Sequence, residues 1–190
     1  MKLIVLKCTW TDCKSTRTIA VPPSFTLEQL HFALQDAFGW DEEHLYGFKD
    51  GQGNRWTPEP DFDDETEPGE TTVGEVFSEP SAKLEYEYDF GDDNLVLIRR
   101  LKKEIEGDLP VCLAATGFMA VEDSSAFGFV DGIAEILRTG PEDKSYGECA
   151  EWLGIESPEE AQEWLRDQIA DPEEINETLA ARFAPRRRKR

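Results

Sequence analysis

The amino-acid sequence predicts an α+β domain with a mostly antiparallel sheet of about six strands, one early helix and a C-terminal helical layer. Residues 84–90 alternate large apolar side chains with acids, which is the period-two pattern of a strand with one buried face. One strong amphipathic helical pattern follows the first two strand patterns, and several capped helical patterns fill the last third of the chain. Strands and helices in this order are typical of α+β folds.

Residues 83–98 predict a central β-hairpin around which the rest of the chain is organised. The apolar members of its first strand are Leu84, Tyr86, Tyr88 and Phe90. Residues 91–94, Gly-Asp-Asp-Asn, favour a turn, and apolar residues from Leu95 start a second strand that continues to about Ile105. The basic residues of this second strand have two interpretations, which are pairing with acids across the sheet or a binding patch.

The acidic tip of this hairpin also has two interpretations. Glycine, aspartate and asparagine are the residues that turns require for backbone reasons alone. Alternatively, the carboxylates of Asp89, Asp92 and Asp93 converge, and their hard oxygens suit Mg²⁺ or Ca²⁺. His31 and His44 are the two histidines of the chain, and with Asp89 or Asp92 they would form a divalent metal site. A lone histidine at the edge of a buried helix face, like His31, is also typical of a hydrogen-bonded structural residue.

The N-terminal half of the chain predicts further strands and one helix. Strand patterns occupy residues 2–10, 16–21, 44–48 and 52–56. Thr26 and Gln29 have the spacing of a capping box, and Gly39 is expected to end the helix that they begin. The acid- and proline-rich residues 57–70 predict a mobile loop, and residues 71–77 favour one short helical turn.

The C-terminal third predicts a helical layer that covers one face of the sheet. Residues 109–121 lack a regular pattern. Helices are predicted at residues 127–137, at residues 146–153, after a Ser157 cap and after an Asp171 cap. Residues 1–184 are therefore expected to form a single domain, and residues 185–190 a disordered basic tail. The alternative for this tail is an arm that binds nucleic acid or a partner.

The charge of the chain restricts its partners. Asp and Glu total 41 against 20 Lys and Arg, for a net charge of -21. A body this acidic repels nucleic-acid phosphates, so we expect a basic protein partner and no direct nucleic-acid binding by the body. The residues expected to bind that partner are Asp61, Asp63, Asp64, Glu65, Asp92 and Asp93.

Several strings of residues resemble a known family. The strings are Thr26-Leu27-Glu28-Gln29-Leu30-His31, Phe38-Gly39-Trp40, His44-Leu45-Tyr46-Gly47-Phe48, Tyr86-Glu87-Tyr88-Asp89-Phe90-Gly91-Asp92, Cys112-Leu113-Ala114, Glu122-Asp123 and Gly128-Phe129. In this order, over residues 2–183, they are similar to the Ri-plasmid open-reading-frame-three-like family. Some members of that family carry a resolvase-like label as passengers of insertion elements. The resemblance implies a bacterial or archaeal α+β domain and no particular activity. It also implies Trp and His at positions where this chain has Asn94 and Val96, so a site built on that His would lack its nitrogen ligand here.

Sequence motifs argue against most reaction classes. The chain has no G-x-S-x-G string, no glycine-rich phosphate loop and no His-x-Arg pair of a tyrosine recombinase. Glu122 and Asp123 are adjacent carboxylates, but adjacency carries little information in a chain with 41 acids. The four cysteines lack zinc-site spacing and no long apolar run is present, so a reduced, cytoplasmic protein without a membrane span is expected.

The sequence therefore predicts a non-catalytic acidic interaction domain that binds a basic partner and holds no cofactor. The alternative is a metal-dependent enzyme, or a recombinase-associated protein of a mobile element, with a divalent metal as its cofactor. The ligands of that metal would be His31, His44, Asp89 and Asp92.

Overall fold

The computed structural model describes residues 1–60, 65–79 and 81–185, which form one mixed sheet of eight strands and six α-helices. The strands are β1 Lys2–Trp10, β2 Thr16–Val21, β3 Tyr46–Asp50, β4 Arg55–Trp56, β5 Glu65–Thr66, β6 Lys83–Tyr88, β7 Asn94–Glu106 and β8 Val111–Thr116. The helices are α1 Leu27–Phe38, α2 Val73–Val76, α3 Phe129–Thr139, α4 Tyr146–Leu153, α5 Pro158–Asp167 and α6 Pro172–Phe183.

The strands lie in the order β5-β4-β3-β6-β7-β1-β2-β8, and every neighbouring pair is antiparallel except β4 with β5. The predicted α+β class and mostly antiparallel sheet are confirmed. The prediction of about six strands misses β5 and β8. Beside the one early helix that was predicted, α2 forms within residues 71–77, where one short helical turn was expected. Strand β5 has two residues, too few to show a period, and β8 falls in residues 109–121, where short side chains hide the alternation.

The hairpin of β6 and β7 forms the middle of the sheet, as predicted. Tyr86 lies opposite Val96, and Tyr88 lies opposite Asn94. The core-facing residues of β6 are almost fully buried, whereas Glu85 on the other face is exposed. This alternation fixes the register, because a slip of one residue would bury the acids and expose the tyrosines.

Helix α1 covers the inner face of this sheet. Its predicted capping box is present, because the Thr26 side chain accepts a hydrogen bond from the Gln29 main-chain N–H and the Gln29 side chain accepts one from the Thr26 main-chain N–H. Gly39 ends the helix in the left-handed conformation, at φ 87°. The aromatic ring of Trp10, from β1, packs edge-on against Phe38 at the helix end.

A buried arginine connects the end of α1 to the end of the edge strand β8 through hydrogen bonds. Arg17, on β2, is fully buried. Its guanidinium donates hydrogen bonds to the main-chain carbonyls of Ala37, Thr116 and Phe118. Burial lowers the Arg17 pKa to about 10, so the side chain stays charged at neutral pH. These bonds hold the chain that leaves α1 beside the chain that leaves β8.

The C-terminal helices divide between two cores. Helices α3, α4 and α5 bury a cluster of their own, made of Ile133, Ala134, Leu137, Cys149, Ala161 and Leu165. Ile175 and Leu179 of α6 instead join the main core. The Asn176 side chain of α6 also accepts a hydrogen bond from the Cys112 main-chain N–H on β8 and donates one to its carbonyl. The helical layer predicted to cover the sheet is therefore partly a second core.

Two sequence-based expectations concern segments next to residues that the structure does not describe. Residues 57–70 were expected to be a loop, yet Glu65–Thr66 form β5 and Pro68–Glu70 form a 3-10 turn. The expected tail includes residues 186–190, which lie outside the described residues. Among the helices of the described residues, none has both the length and the apolar character needed to cross a membrane.

Candidate functional site

A histidine and two aspartates from separate segments meet at one end of the sheet. His44 lies in the connection from α1 to β3, Asp89 follows β6, and Asp123 lies in the loop before α3. One possible ligand atom from each residue lies within 4.8 Å of the other two. His44 Nδ1 is 3.7 Å from an Asp89 oxygen, and His44 Nε2 is 3.4 Å from an Asp123 oxygen. We call these three residues the His44 cluster.

Local backbone geometry places both aspartates. Asp89 has φ 56° and Asp123 has φ 52°, in the left-handed region that residues with a Cβ rarely adopt and that Asp tolerates better than most. The Asp89 carboxylate accepts a hydrogen bond of 3.0 Å from the Gly91 main chain, and the Asp89 N–H donates to the Leu45 carbonyl. The hairpin loop is therefore anchored to the residue next to His44.

Glu122 adds a further carboxylate beside the His44 cluster. Its Oε1 accepts hydrogen bonds from the Asp41 main-chain N–H, at 2.9 Å, and from the Tyr88 hydroxyl, at 3.1 Å. Its Oε2 lies 3.8 Å from His44 Nε2. Burial is the largest of the influences that together raise the Glu122 pKa to about 7. The two donors leave the second oxygen of Glu122 directed at the imidazole.

The His44 imidazole has one nitrogen without a hydrogen bond. Its Nε2 atom is buried and has no hydrogen-bond partner among the described residues. Buried polar atoms are normally paired, because leaving one unpaired costs about 1–3 kcal/mol. The nearest acidic groups to this nitrogen are the carboxylates of Asp123 and Glu122, so Nε2 faces negative charge.

The other histidine occupies a different environment. The His31 ring stacks on Tyr46 with ring centroids 3.6 Å apart, and its Nδ1 lies 2.8 Å from the Tyr86 hydroxyl. Burial, assisted by the positive charge of Arg182, lowers the His31 pKa to about 3. The ring is therefore neutral at physiological pH. These contacts agree with the interpretation of His31 as a hydrogen-bonded structural residue.

The structure brings together only part of the predicted metal site. His44 and Asp89 meet, whereas His31 is bonded to Tyr86, and Asp92 accepts hydrogen bonds from the main chain and side chain of Ser125. Asp123 was not among the predicted ligands. Its signal in the sequence was the Glu-Asp pair at residues 122 and 123, which is uninformative by itself in so acidic a chain.

The opposite face of the sheet carries a groove near β3, β4 and β6. It has a volume of about 440 Å³. Its lining residues are Leu45, Gly47, Phe48, Lys49, Arg55, Trp56, Thr57, Glu59, Glu65, Glu85, Glu87, Phe90 and Leu95. Leu45 is 53% exposed and Phe90 48% exposed, and Leu97 on the same face is 44% exposed. We call this surface the outer groove.

The acids predicted to bind a partner fall in several places. Asp61, Asp63 and Asp64 lie outside the described residues. Glu65 lines the outer groove from β5. The Asp92 carboxylate is bonded to Ser125, and Asp93 is exposed at the tip of the hairpin.

Comparison with known proteins identifies the family. The family model described as plasmid pRiA4b ORF-3-like protein matches residues 4–178. The chain belongs to this family. The resemblance found in the sequence is thereby confirmed. Asn94 and Val96, where that resemblance implies Trp and His, are both buried in β7.

Two similar proteins extend the comparison. The chain is 29% identical over 142 residues, 73% of each chain, to the uncharacterized protein y4hQ of Sinorhizobium fredii. The fold of this chain is similar to the crystal structure of MM3350, a protein of unknown function from Methanosarcina mazei Go1, with a TM-score of 0.69. That match covers 90% of this chain and 96% of the other at 24% identity, so it supports the fold alone.

Proposed function

We propose that this protein is a non-catalytic acidic interaction domain that binds a basic segment of a partner protein in the outer groove. The observation that carries the proposal is the arrangement of Glu85 and Glu87 beside the exposed side chains of Leu45 and Phe90. Acids next to exposed apolar side chains complement a segment in which Lys or Arg alternates with apolar residues.

Strand register explains how the outer groove acquires this pattern. Across the sheet, Glu87 lies between Gly47 and Leu95, and Glu85 lies between Lys49 and Leu97. Residues opposite each other on neighbouring strands point to the same face. Gly47 has no side chain, and the Phe90 ring packs over this position.

The charge of the outer groove favours cations on the partner. No ion pair among the described residues involves Glu85 or Glu87. Lys49 and Arg55 line the other side of the groove, so a bound segment would orient its basic residues toward β6. The net charge of -21 would accelerate the encounter at low ionic strength.

A peptide-binding measurement tests this function. The probe is a fluorescent peptide of alternating lysine and leucine, followed by anisotropy at low and high ionic strength. We expect the double variant Glu85→Gln, Glu87→Gln to bind about tenfold more weakly, which corresponds to about 1.4 kcal/mol. The matched control is Glu163→Gln, Glu177→Gln, which removes the same charge from exposed positions of α5 and α6.

Two results would reject the proposal. One is binding that does not weaken with salt. The other is an equal loss of affinity in the control variant, because a general attraction to the acidic body, rather than the outer groove, would then explain the binding. A peptide with glutamate in place of lysine should not bind at all.

A further inference from the structure

The three residues of the His44 cluster are not among those that line the outer groove, and the cluster has the composition of a metal site. Its three side chains come from three segments that are distant in sequence. We propose that His44, Asp89 and Asp123 bind a divalent transition-metal ion. This inference goes beyond the proposed function, because the partner proposal requires no ion.

The spacing of the ligand atoms fits one ion after a small adjustment. Ligand atoms bonded to one ion at about 2.1 Å lie about 3.4 Å apart in tetrahedral geometry and about 4.2 Å apart when they are on opposite sides of the ion. The three candidate atoms are within 4.8 Å of one another, so the widest separation would close by roughly 0.6 to 1.4 Å. Asp123 is an exposed side chain and can rotate, whereas Asp89 is buried and fixed by its bond from Gly91.

The unpaired nitrogen of His44 supplies an independent observation. Nε2 is buried without a hydrogen-bond partner among the described residues, although it faces Asp123 and Glu122. A neutral imidazole carries a proton on one nitrogen and a lone pair on the other, and a carboxylate can pair only with the protonated nitrogen. With the lone pair on Nε2, a cation between this nitrogen and the Asp123 carboxylate would satisfy both.

The surrounding charge favours a cation as well. Asp89, Glu122 and Asp123 lie within 4 Å of the same imidazole. Like charges at such separations repel one another, and a divalent ion offsets this repulsion. Glu122 is held by Asp41 and Tyr88, so it contributes negative charge beside the ion without needing to contact it.

The ligand types select the class of metal. Ca²⁺ takes six to eight oxygen ligands, and Mg²⁺ keeps most of its waters. One imidazole with two carboxylates suits a first-row ion that accepts both nitrogen and oxygen, such as Zn²⁺ or Mn²⁺. Because His44 and Asp89 precede Leu45 and Phe90, the ion would also fix one rim of the outer groove.

The test is metal binding by the full chain. Protein stripped with a chelator is titrated with Zn²⁺ or Mn²⁺ by calorimetry, and bound metal is measured by elemental analysis after dialysis. We expect one ion per chain and a rise in melting temperature with metal. Asp89→Asn, Asp123→Asn and His44→Gln should each weaken binding by roughly a hundredfold.

The matched control is Asp93→Asn. Asp93 lies in the same hairpin loop, has φ 54° and is exposed, and it is not part of the His44 cluster. Asn tolerates this backbone, so the control removes the same charge without strain and should bind metal like the wild type. Absence of stoichiometric binding of either ion, or an equal loss in Asp93→Asn, would overturn the proposal.

Variant folding is measured separately. Melting of each metal-free variant shows whether it folds. Co²⁺ absorption gives a second signal, because replacement of a nitrogen ligand by His44→Gln should change the spectrum, while Asp93→Asn should not. An unchanged Co²⁺ spectrum in His44→Gln would show that the imidazole is not a ligand of the metal.

Discussion

The guanidinium of Arg17 donates a hydrogen bond of 2.5 Å to the main-chain carbonyl of Ala37, the penultimate residue of α1. The same side chain also donates to the carbonyl of Thr116, at the end of β8, and to that of Phe118, which follows the strand. A buried cation needs such partners, because an unpaired buried charge is far more costly than the bonds are favourable. Arg17 therefore holds together the two segments that carry His44 and Asp123.

Removal of this side chain should destabilise the fold. Arg17→Met keeps much of the apolar stem but leaves several buried carbonyls without donors. We expect the free energy of unfolding to fall by about 3 kcal/mol, measured by urea denaturation. The exposed Arg99→Met on β7 is the control and should change stability by less than about 0.5 kcal/mol. A similar small effect in Arg17→Met would show that the buried bonds are not needed.

The buried His31 should make stability depend on pH. Its pKa of about 3 in the folded protein lies below the unfolded value of about 6.5. The unfolded chain therefore binds the proton more readily between these values, so stability falls as the pH decreases from about 6.5 toward 3.

His31→Gln removes this dependence and can still bond Tyr86. The free energy of unfolding of each protein is compared with its own value at neutral pH. On acidification it should fall less for the variant than for the wild type, by about 1 kcal/mol per pH unit in this window. Denaturation series from neutral pH to about pH 5 measure the difference. Parallel profiles for the two proteins would contradict the burial-induced shift.

The ion pair of Arg182 with Asp36 should couple α6 to α1. Arg182 donates two hydrogen bonds to the Asp36 carboxylate, at 2.8 and 2.7 Å. Asp36 is nearly buried, whereas Arg182 is one-third exposed. Arg182→Gln should therefore lower the free energy of unfolding by about 2 kcal/mol, less than for a fully buried pair.

A double-mutant cycle with Asp36→Asn isolates this pair. The coupling energy should be about 1–2 kcal/mol. Arg166→Gln, at an exposed position of α5, is the control. Additive effects of the two substitutions would mean that the contact contributes no stability.

Two glycines with positive φ angles, Gly117 and Gly154, provide a matched comparison. Gly117 has φ 82° and Gly154 has φ 69°. A Cβ at Gly117 would lie 2.7 Å from the Lys14 carbonyl oxygen and would also collide with the Ser15 hydroxyl, whereas one at Gly154 would meet nothing within 4 Å.

Gly154→Ala should cost only the strain of the left-handed backbone, about 1 kcal/mol. Gly117→Ala should cost that amount and a steric term, for a total of about 3 kcal/mol. Thermal denaturation of both variants measures the difference. Equal costs would show that the loop at Gly117 relaxes freely.

The sequence was sufficient for elements whose pattern is local. The β6 and β7 hairpin, the α1 cap and the proline-started helices α5 and α6 depend on periodicity and on residues a few positions apart, and all are present. Strands β5 and β8 were missed because their partners, rather than their own patterns, make them strands. Pairing is a property of the folded chain.

The candidate site was predicted only in part for the same reason. Asp89 was identifiable because the hairpin turn positions it locally. Asp123 joins it through the long loop after β8, whose course depends on Arg17 and on the bond from Ala120 to Phe38. His31 was separated from His44 by its stack on Tyr46, a contact between elements that no spacing in the sequence reveals.

The Asn176 amide on α6 has a consequence for self-association. By engaging both main-chain groups of Cys112, it occupies hydrogen-bonding positions on the outermost strand that another chain would need as a template. At the opposite edge of the sheet, β5 has only two residues, which is too short a strand to pair stably with another chain. Removing the amide with Asn176→Leu would expose that template, and time-dependent light scattering at high protein concentration would detect the resulting polymers.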